Sequence, residues 1–254
     1  VSAFAGARRQ FSAPRAADVR YNRAAMTRVS VIVPVWNEER TLEEVIRRIR
    51  ATGAVHEIVA VDDGSTDRSA EILASLGAAG DPPVTVVRHE RNSGKGAAVR
   101  TGFARVTGDI VVVQDADLEL DPGEFPKLFA PIHEGRADVV FGCRFTHGRG
   151  EKDWPGYLGN VAFCALASVL FGRRLRDILT GYRAMRTDVA RRVEPHSTGF
   201  GMDAEQGCRA VRDGFRIAQV PVTYMPRSRG QGKKLGLGAS FEVLAAILKV
   251  RFGG

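Results

Sequence analysis

Two carboxylates one residue apart, Asp115 and Asp117, close the stretch Asp109-Ile-Val-Val-Val-Gln-Asp-Ala-Asp117. The β-branched run before them reads as a buried parallel strand, so both acids fall where that strand leaves its sheet. An unpaired carboxylate in poor solvent is costly, and two together repel. A hard divalent cation with oxygen ligands turns that repulsion into binding energy and would hold the oxygens of a substrate phosphate. Helix capping or salt bridging is the plainer use. A metal on a donor diphosphate accounts for the pair more fully, by neutralising charge on the leaving group. Gln114 and Glu119 flank the acids and are expected to shape their surroundings.

Other segments carry chemistry of related kinds. In Asp62-Asp63-Gly64-Ser65-Thr66-Asp67, turn and cap chemistry explains Gly64 to Asp67 well and the first two acids poorly. A carboxylate at a strand end can accept the imide N–H of uracil or two donors of guanine, so Asp62 and Asp63 are expected at a base or ribose. Asn92-Ser93-Gly94-Lys95-Gly96 resembles a truncated phosphate loop that lacks the full spacing; it would open a helix, itself a weak anion site. Lys95 either meets phosphate there or covers surface, and His89 is expected to be packed. Asp203 and Glu205 begin a later helix, where acids are also favoured by the helix dipole. Asp203 could act as a general base or orient a sugar hydroxyl, with Asp177 and Arg183 facing the same cleft. Arg227, Arg229, Lys233 and Lys234 crowd a loop with Gly230 and Gly232, a pattern suited to a bound anion.

These residues need a scaffold, and hydrophobic periodicity supplies one. Strands are predicted at 29–34, 57–62, 84–88, 110–113, 137–142 and 215–223. Helices are predicted at 40–50, 69–76, from near Gly94 to Gly108, 122–133, 157–171, 203–213 and 240–250. The alternation argues for an α/β protein with a mostly parallel sheet covered on both faces. Ligands of such sheets bind beyond the carboxyl ends of the strands, where Asp62, Asp63, His89, Asp115 and Asp117 converge. Residues 1–27 read as a variable or disordered arm, and 143–160 as a long polar loop of functional length.

Composition narrows the partners. The 254 residues carry 37 Lys plus Arg against 29 Asp plus Glu, a net charge of +8 that favours anionic ligands. Aromatic residues, at 7%, are not interleaved with the basic cluster as base-stacking surfaces require, which ranks nucleic acid below a phosphorylated small molecule, so no nucleic-acid partner is expected. Three widely spaced cysteines, Cys143, Cys164 and Cys208, form neither a disulfide framework nor a zinc site and suggest small buried hydrophobes in a reducing compartment. No apolar run approaches the roughly 20 residues that cross a bilayer. The segment 161–171 reads either as buried helix or as one partly immersed at a membrane interface.

Taken in order, Val31-Ile-Val-Pro-Val-Trp-Asn-Glu-Glu39, Val61-Asp-Asp-Gly-Ser-Thr-Asp67, Asn92-Ser-Gly-Lys-Gly96, Asp115-Ala-Asp117, Thr180-Gly-Tyr-Arg183, Gly201-Met-Asp-Ala-Glu205, Val220-Pro-Val and the cluster 227–236 resemble family 2 glycosyltransferases of the GT-A fold. The similarity covers roughly residues 28–251 and points to the polyprenyl-phosphate branch, which includes dolichyl-phosphate mannose and glucose synthases. The resemblance implies a Rossmann-like GT-A domain over 28–254, with a nucleotide- and metal-binding half at 28–142 and an acceptor half at 143–254. It implies a UDP- or GDP-sugar donor, Mg²⁺ or Mn²⁺, a polyprenyl phosphate acceptor and inverting hexosyl transfer. A soluble enzyme acting on a saccharide, small-molecule or protein hydroxyl is the alternative. By the same resemblance Pro34, Glu38, Asp62, Asp63, Lys95, Asp115 and Ala116 would meet donor, with Asp115 and Asp117 holding metal. Asp117, Asp203, Arg229 and Lys233 would be catalytic; Arg183, Arg227, Arg229, Lys233 and Lys234 would meet acceptor or phosphate. The expected location is cytoplasmic, with peripheral docking on the cytoplasmic face of a membrane through the 157–171 helix or the basic C-terminal region.

Overall fold

Alternate residues along the strands point to opposite sides, so one sheet organises two apolar layers. The computed structural model describes residues 28–77, 80–145, 154–226 and 237–253. The N-terminal arm and the cluster Arg227, Arg229, Lys233 and Lys234 lie outside the described residues. The strands are β1 (Val29–Val35), β2 (Glu57–Asp62), β3 (Val84–Arg88), β4 (Ile110–Val113), β5 (Val139–Cys143), β6 (Arg183–Arg186) and β7 (Ile217–Pro221). They form a single sheet in the order β3-β2-β1-β4-β6-β5-β7. The run β3-β2-β1-β4 is parallel, as is β5 with β7, while β6 lies antiparallel between β4 and β5. The sheet therefore draws strands from both sides of residue 142.

The helices are α1 (Leu42–Ala51), α2 (Ser69–Gly77), α3 (Lys95–Phe103), α4 (Phe125–His133), α5 (Trp154–Phe171), α6 (Thr187–Arg192), α7 (Gly201–Arg212) and α8 (Leu237–Phe252). On one face Val31, Val33, Ile58 and Val112 pack against Leu42, Ile46 and Ile49 of α1, Leu73 of α2 and Phe125 and Leu128 of α4. On the other face Ile32, Val59, Val113 and Phe141 meet α3 and α5 to α8 through Phe103, Cys164, Val189, Met202 and Ile247. All three cysteines are free and buried. Burial pushes the thiols of Cys143 and Cys208 up to about 12 and that of Cys164 to about 11, as befits inert packing groups.

The predicted strands at 57–62, 84–88 and 110–113 match the structure, and most other elements shift by a few residues. The helix from Gly94 ends at Phe103 rather than Gly108, because residues 104–109 turn back toward β4, with Thr107 N–H donating to Glu57 at 2.6 Å. The predicted 122–133 helix begins as a 3₁₀ turn, capped by Asp121, whose carboxylate accepts from Gly123 N–H at 3.0 Å. The sequence pattern missed β6 and α6. Arg183-Ala-Met-Arg186 has no hydrophobic run; pairing of Ala184 with Val112 on one side and Val140 on the other makes it a strand.

Phe141 is fully buried and carries the Arg183 guanidinium over its ring at 5.2 Å, so it joins core to site. Phe141→Ala is expected to cost about 3–5 kcal/mol through the cavity it leaves. Urea unfolding curves measure it, and a loss of less than about 1 kcal/mol would show that the region repacks.

Candidate active site

The parallel arrangement of β1, β2 and β4 brings their carboxyl ends to one edge, and the loops leaving them are locked together. Asn37, with a positive φ of 56°, accepts from Thr66 N–H at 2.8 Å and donates its own N–H to Ser65 at 3.0 Å. The next two amides of this loop donate to Ser69 and Asp67 at 2.9 and 3.1 Å. Pro34 and Glu38 are part-buried here, and the Glu38 carboxylate accepts from Thr41 Oγ1 at 2.9 Å.

Asp62 and Asp63 depart from their expected role. Both carboxyls are buried and hold loops in place. Asp62 Oδ1 accepts from Ser65 N–H at 2.9 Å, with Arg88 Nε 3.2 Å from its other oxygen. Asp63 accepts from Ser93 and Gly94 N–H at 3.0 and 2.8 Å and lies 2.7 Å from His89 Nδ1. His89 Nε2 in turn stands 2.9 Å from Thr101 Oγ1, matching the packed role expected for this histidine. Side-chain chemistry that looked available to a nucleoside anchors the neighbouring loop instead.

The Asn92–Gly96 loop is likewise no phosphate cradle in this structure, because protein groups accept from its amides. Gly96 N–H donates to Thr198 O at 2.8 Å, and a Cβ on Gly96 would run into the Ser197 carbonyl. Close approach to residues 195–199 therefore explains the glycine. That second loop is fixed by Glu205, which accepts from His196 and Ser197 N–H at 2.9 and 2.8 Å, and by Arg100, which donates to Pro195 O at 3.0 Å. The first turns of α3 and α7 are thus held side by side, with Lys95 on one and Asp203 on the other.

Around Lys95 the charges alternate in sign. Its ammonium lies 2.7 and 2.8 Å from the two oxygens of Asp115 and 3.8 Å from Asp203. Asp203 stands 3.5 Å from the Arg183 guanidinium. Burial alone would lower the lysine pKa, but Asp115 and Asp203 outweigh it and hold Lys95 above its ordinary value, fully charged. Gly181 roofs the pair: a Cβ there would stand 2.8 Å from Lys95 Nζ and 2.9 Å from an Asp115 oxygen.

Arg183, expected to meet an acceptor, is buried beneath Asp203. It is 1% exposed, donates to Ile178 O at 2.8 Å and supports Asp203 from beneath. Ala116, expected at the donor, is buried in the core below the acids. Asp177 does not face the cleft either, being fully buried and gripped by the backbone and guanidinium of Arg144 at 2.8–3.0 Å.

Asp115 and Asp117 are both part-exposed at the mouth of the sheet. Gln114 pins their loop by donating to Asp115 O and Leu120 O, each at 3.1 Å, and Glu119 N–H donates to Asp117 at 3.1 Å. Leu118 between them holds a φ of 62°, a strained value for a residue with a β-carbon. Glu119 also accepts from Tyr224 Oη at 3.0 Å and from Met225 N–H at 2.9 Å, so the chain entering the basic cluster starts beside the acids. Sequence reading missed Arg144 and loop 195–199, which carry no motif of their own. The acids fit a divalent cation: they are hard oxygen donors, and one already seats a positive charge, the lysine ammonium. Among the described residues no three potential ligands cluster, and Mg²⁺-type sites commonly complete their shell with waters and substrate phosphates.

Residues 30–194 match the model of glycosyl transferase family 2. The chain belongs to this family. Within it the chain is 34% identical over 232 residues to a dolichol-phosphate mannosyltransferase of Pyrococcus furiosus, covering 88% of this chain and 63% of that protein. It is 31% identical to an undecaprenyl-phosphate mannosyltransferase of Micrococcus luteus, covering 82% and 88%. Identity reaches 40% with an undecaprenyl-phosphate 4-deoxy-4-formamido-L-arabinose transferase of Salmonella, covering 84% and 64%. The chain thus spans under two thirds of the Pyrococcus and Salmonella proteins. Its fold is of the GT-A type. Glucosyl-3-phosphoglycerate synthase from Mycobacterium tuberculosis, solved with Mn²⁺, UDP and phosphoglyceric acid, superposes with a TM-score of 0.71 at 25% identity, covering 91% of this chain and 80% of that one.

Burial would raise the Glu205 pKa, but hydrogen bonds from Ser197 and His196 hold it below the ordinary carboxylate value. A depressed folded pKa stabilises above the unfolded value and ceases to do so as pH falls through the folded one. Glu205→Gln is therefore expected to cost about 1–3 kcal/mol at neutral pH, with the gap from wild type closing below about pH 4. Urea midpoints across that range measure it, and a gap independent of pH would contradict the assignment.

Proposed function

We propose that the protein is an inverting, metal-dependent glycosyltransferase that moves a hexosyl group from a nucleotide-sugar to a polyprenyl phosphate. The observation that carries this reading is the part-exposed acid pair at the mouth of the sheet, with a cation seated on Asp115 and Asp203 facing it across the cleft. The names of the Pyrococcus, Micrococcus and Salmonella relatives support a polyprenyl phosphate acceptor. The Mn²⁺ and UDP of the mycobacterial synthase support a divalent metal and a UDP-sugar, with Mn²⁺ or Mg²⁺ and UDP or GDP as the candidate sets.

Asp115 and Asp117 would hold the metal, which when bound supplies Lewis-acid stabilisation of the departing diphosphate. Lys95 adds positive charge on the donor side, and the edge formed by Pro34 and Glu38 receives the nucleoside. An acceptor phosphate, with its second pKa about 6, is already largely anionic at neutral pH and needs little help from a base. Asp203, steadied by Arg183, therefore orients donor or acceptor hydroxyls instead of removing a proton. One acceptor oxygen bonds to the anomeric carbon as the bond to the diphosphate breaks, and the nucleoside diphosphate leaves. Arg227, Arg229, Lys233 and Lys234 supply charge to acceptor and donor phosphates.

The second reading, transfer to a soluble acceptor, is favoured by the phosphoglyceric acid bound to the mycobacterial synthase. A screen of UDP-, GDP- and dTDP-sugars with and without polyprenyl phosphate, scored by product mass, separates the two. Asp117→Ala should lower metal-dependent transfer by at least about a hundredfold while leaving thermal unfolding unchanged. Undiminished transfer would reject the metal assignment.

Membrane contact belongs to the same proposal. No helix among the described residues is long and apolar enough to cross a bilayer. Leu158, Val161 and Val169 of α5 and Phe241, Leu248 and Phe252 of α8 are nevertheless exposed, and Arg251 Nε of α8 donates to Leu170 O at 3.0 Å. Arg173, Arg174, Lys249 and Arg251 accompany them, a combination suited to an anionic lipid surface. Wild-type protein is expected to sediment with phosphatidylglycerol vesicles and the double variant Val169→Asp, Phe241→Asp to remain in the supernatant. Equal sedimentation of the two would remove this surface from the proposal.

A further inference from the structure

Lys95 contacts both oxygens of Asp115, at 2.7 and 2.8 Å, and a divalent ion on Asp115 would draw on the same two oxygens. A second acceptor stands within reach: Asp203 lies 3.8 Å from the same ammonium, on a helix start fixed by loop 195–199. Gly181 lies against the pair, where a Cβ would stand 2.8 Å from Lys95 Nζ and 2.9 Å from an Asp115 oxygen, so the backbone approaches closely on that side. Two cations on one carboxylate also repel, most strongly in a partly desolvated cleft.

We propose that Lys95 is a resident counter-ion that competes with the divalent metal for Asp115 and is handed to Asp203 when the metal binds. Metal occupancy is thereby coupled to the residue that faces the acceptor. In the metal-free protein the lysine neutralises the acid pair and keeps its loop in the binding geometry. In the loaded protein it leaves Asp115, and its charge settles against Asp203, which Arg183 already steadies from below at 3.5 Å. Lys95 is on this reading a positioning residue as well as a donor contact. The inference rests on the proposed metal role of Asp115 and Asp117.

The test measures Mn²⁺ binding without nucleotide or acceptor, from the electron paramagnetic resonance signal of the free ion. Lys95→Gln removes the competing charge and should bind Mn²⁺ at least roughly tenfold more tightly than wild type. Lys95→Arg keeps the charge and should stay within about twofold of wild type. Equal or weaker binding by Lys95→Gln would overturn the competition. A crystal of wild-type protein soaked in Mn²⁺ tests the same point without a substitution. Lys95 Nζ should then be beyond hydrogen-bonding distance of Asp115 and closer to Asp203, whereas an unmoved lysine beside a bound ion would overturn it. The two failures are distinguishable. If wild type binds Mn²⁺ and Asp117→Ala does not, yet Lys95→Gln matches wild type, only the competition falls. If no form binds Mn²⁺, the metal assignment and the competition fall together.

Discussion

Repulsion between carboxylates gathered at the carboxyl ends of parallel strands is the constraint around which this molecule is built. Asp115, Asp117 and Asp203 share one cleft mouth, and a fold that left them uncompensated would be destabilised by their own field. The structure answers with an alternating row, Arg183, Asp203, Lys95 and Asp115, spaced at 3.5, 3.8 and 2.7 Å. Neutralising the acids with side chains of the protein keeps them in place. A site of this kind suits a ligand that arrives with phosphate oxygens of its own.

The surrounding loops exist to hold that row. Asp63, His89 and Thr101 brace the turn before Lys95, while Glu205, Arg100 and the Thr198 carbonyl brace α3 against α7. Each brace joins groups from different elements, by side chain or by backbone. The position of Lys95 is therefore a property of three loops acting together. Gln114 and the strained Leu118 do the same for the acid pair from below.

Insertion of β6 between β4 and β5 links the two halves of the chain. It carries Arg183 beneath Asp203, follows directly on Gly181 beside Lys95 and Asp115, and lets β5 and β7 extend the sheet. The helices covering that extension, α5 and α8, turn apolar side chains outward beside arginines and a lysine. The charged row itself draws on both halves of the chain, Lys95 and Asp115 from the first and Arg183 and Asp203 from the second.

Hydrophobic periodicity by itself determined the α/β class, the first four strands and the convergence of acids at one edge, because strand burial and strand direction are written locally. Residue type and spacing likewise singled out Asp115, Asp117, Lys95 and Asp203. Tertiary structure alone decided which candidates are available to a ligand. Asp62, Asp63, Asp177 and Arg183 are buried against charged or backbone partners from other elements, and Ala116 is buried in the core. The glycines at 94 and 96 became contact points for a loop about a hundred residues away, where the sequence offered a weak anion site. A charged side chain gives the same signal in a sequence whether it will face a substrate or an internal amide. Only the packing of distant segments determines which of these partners it meets.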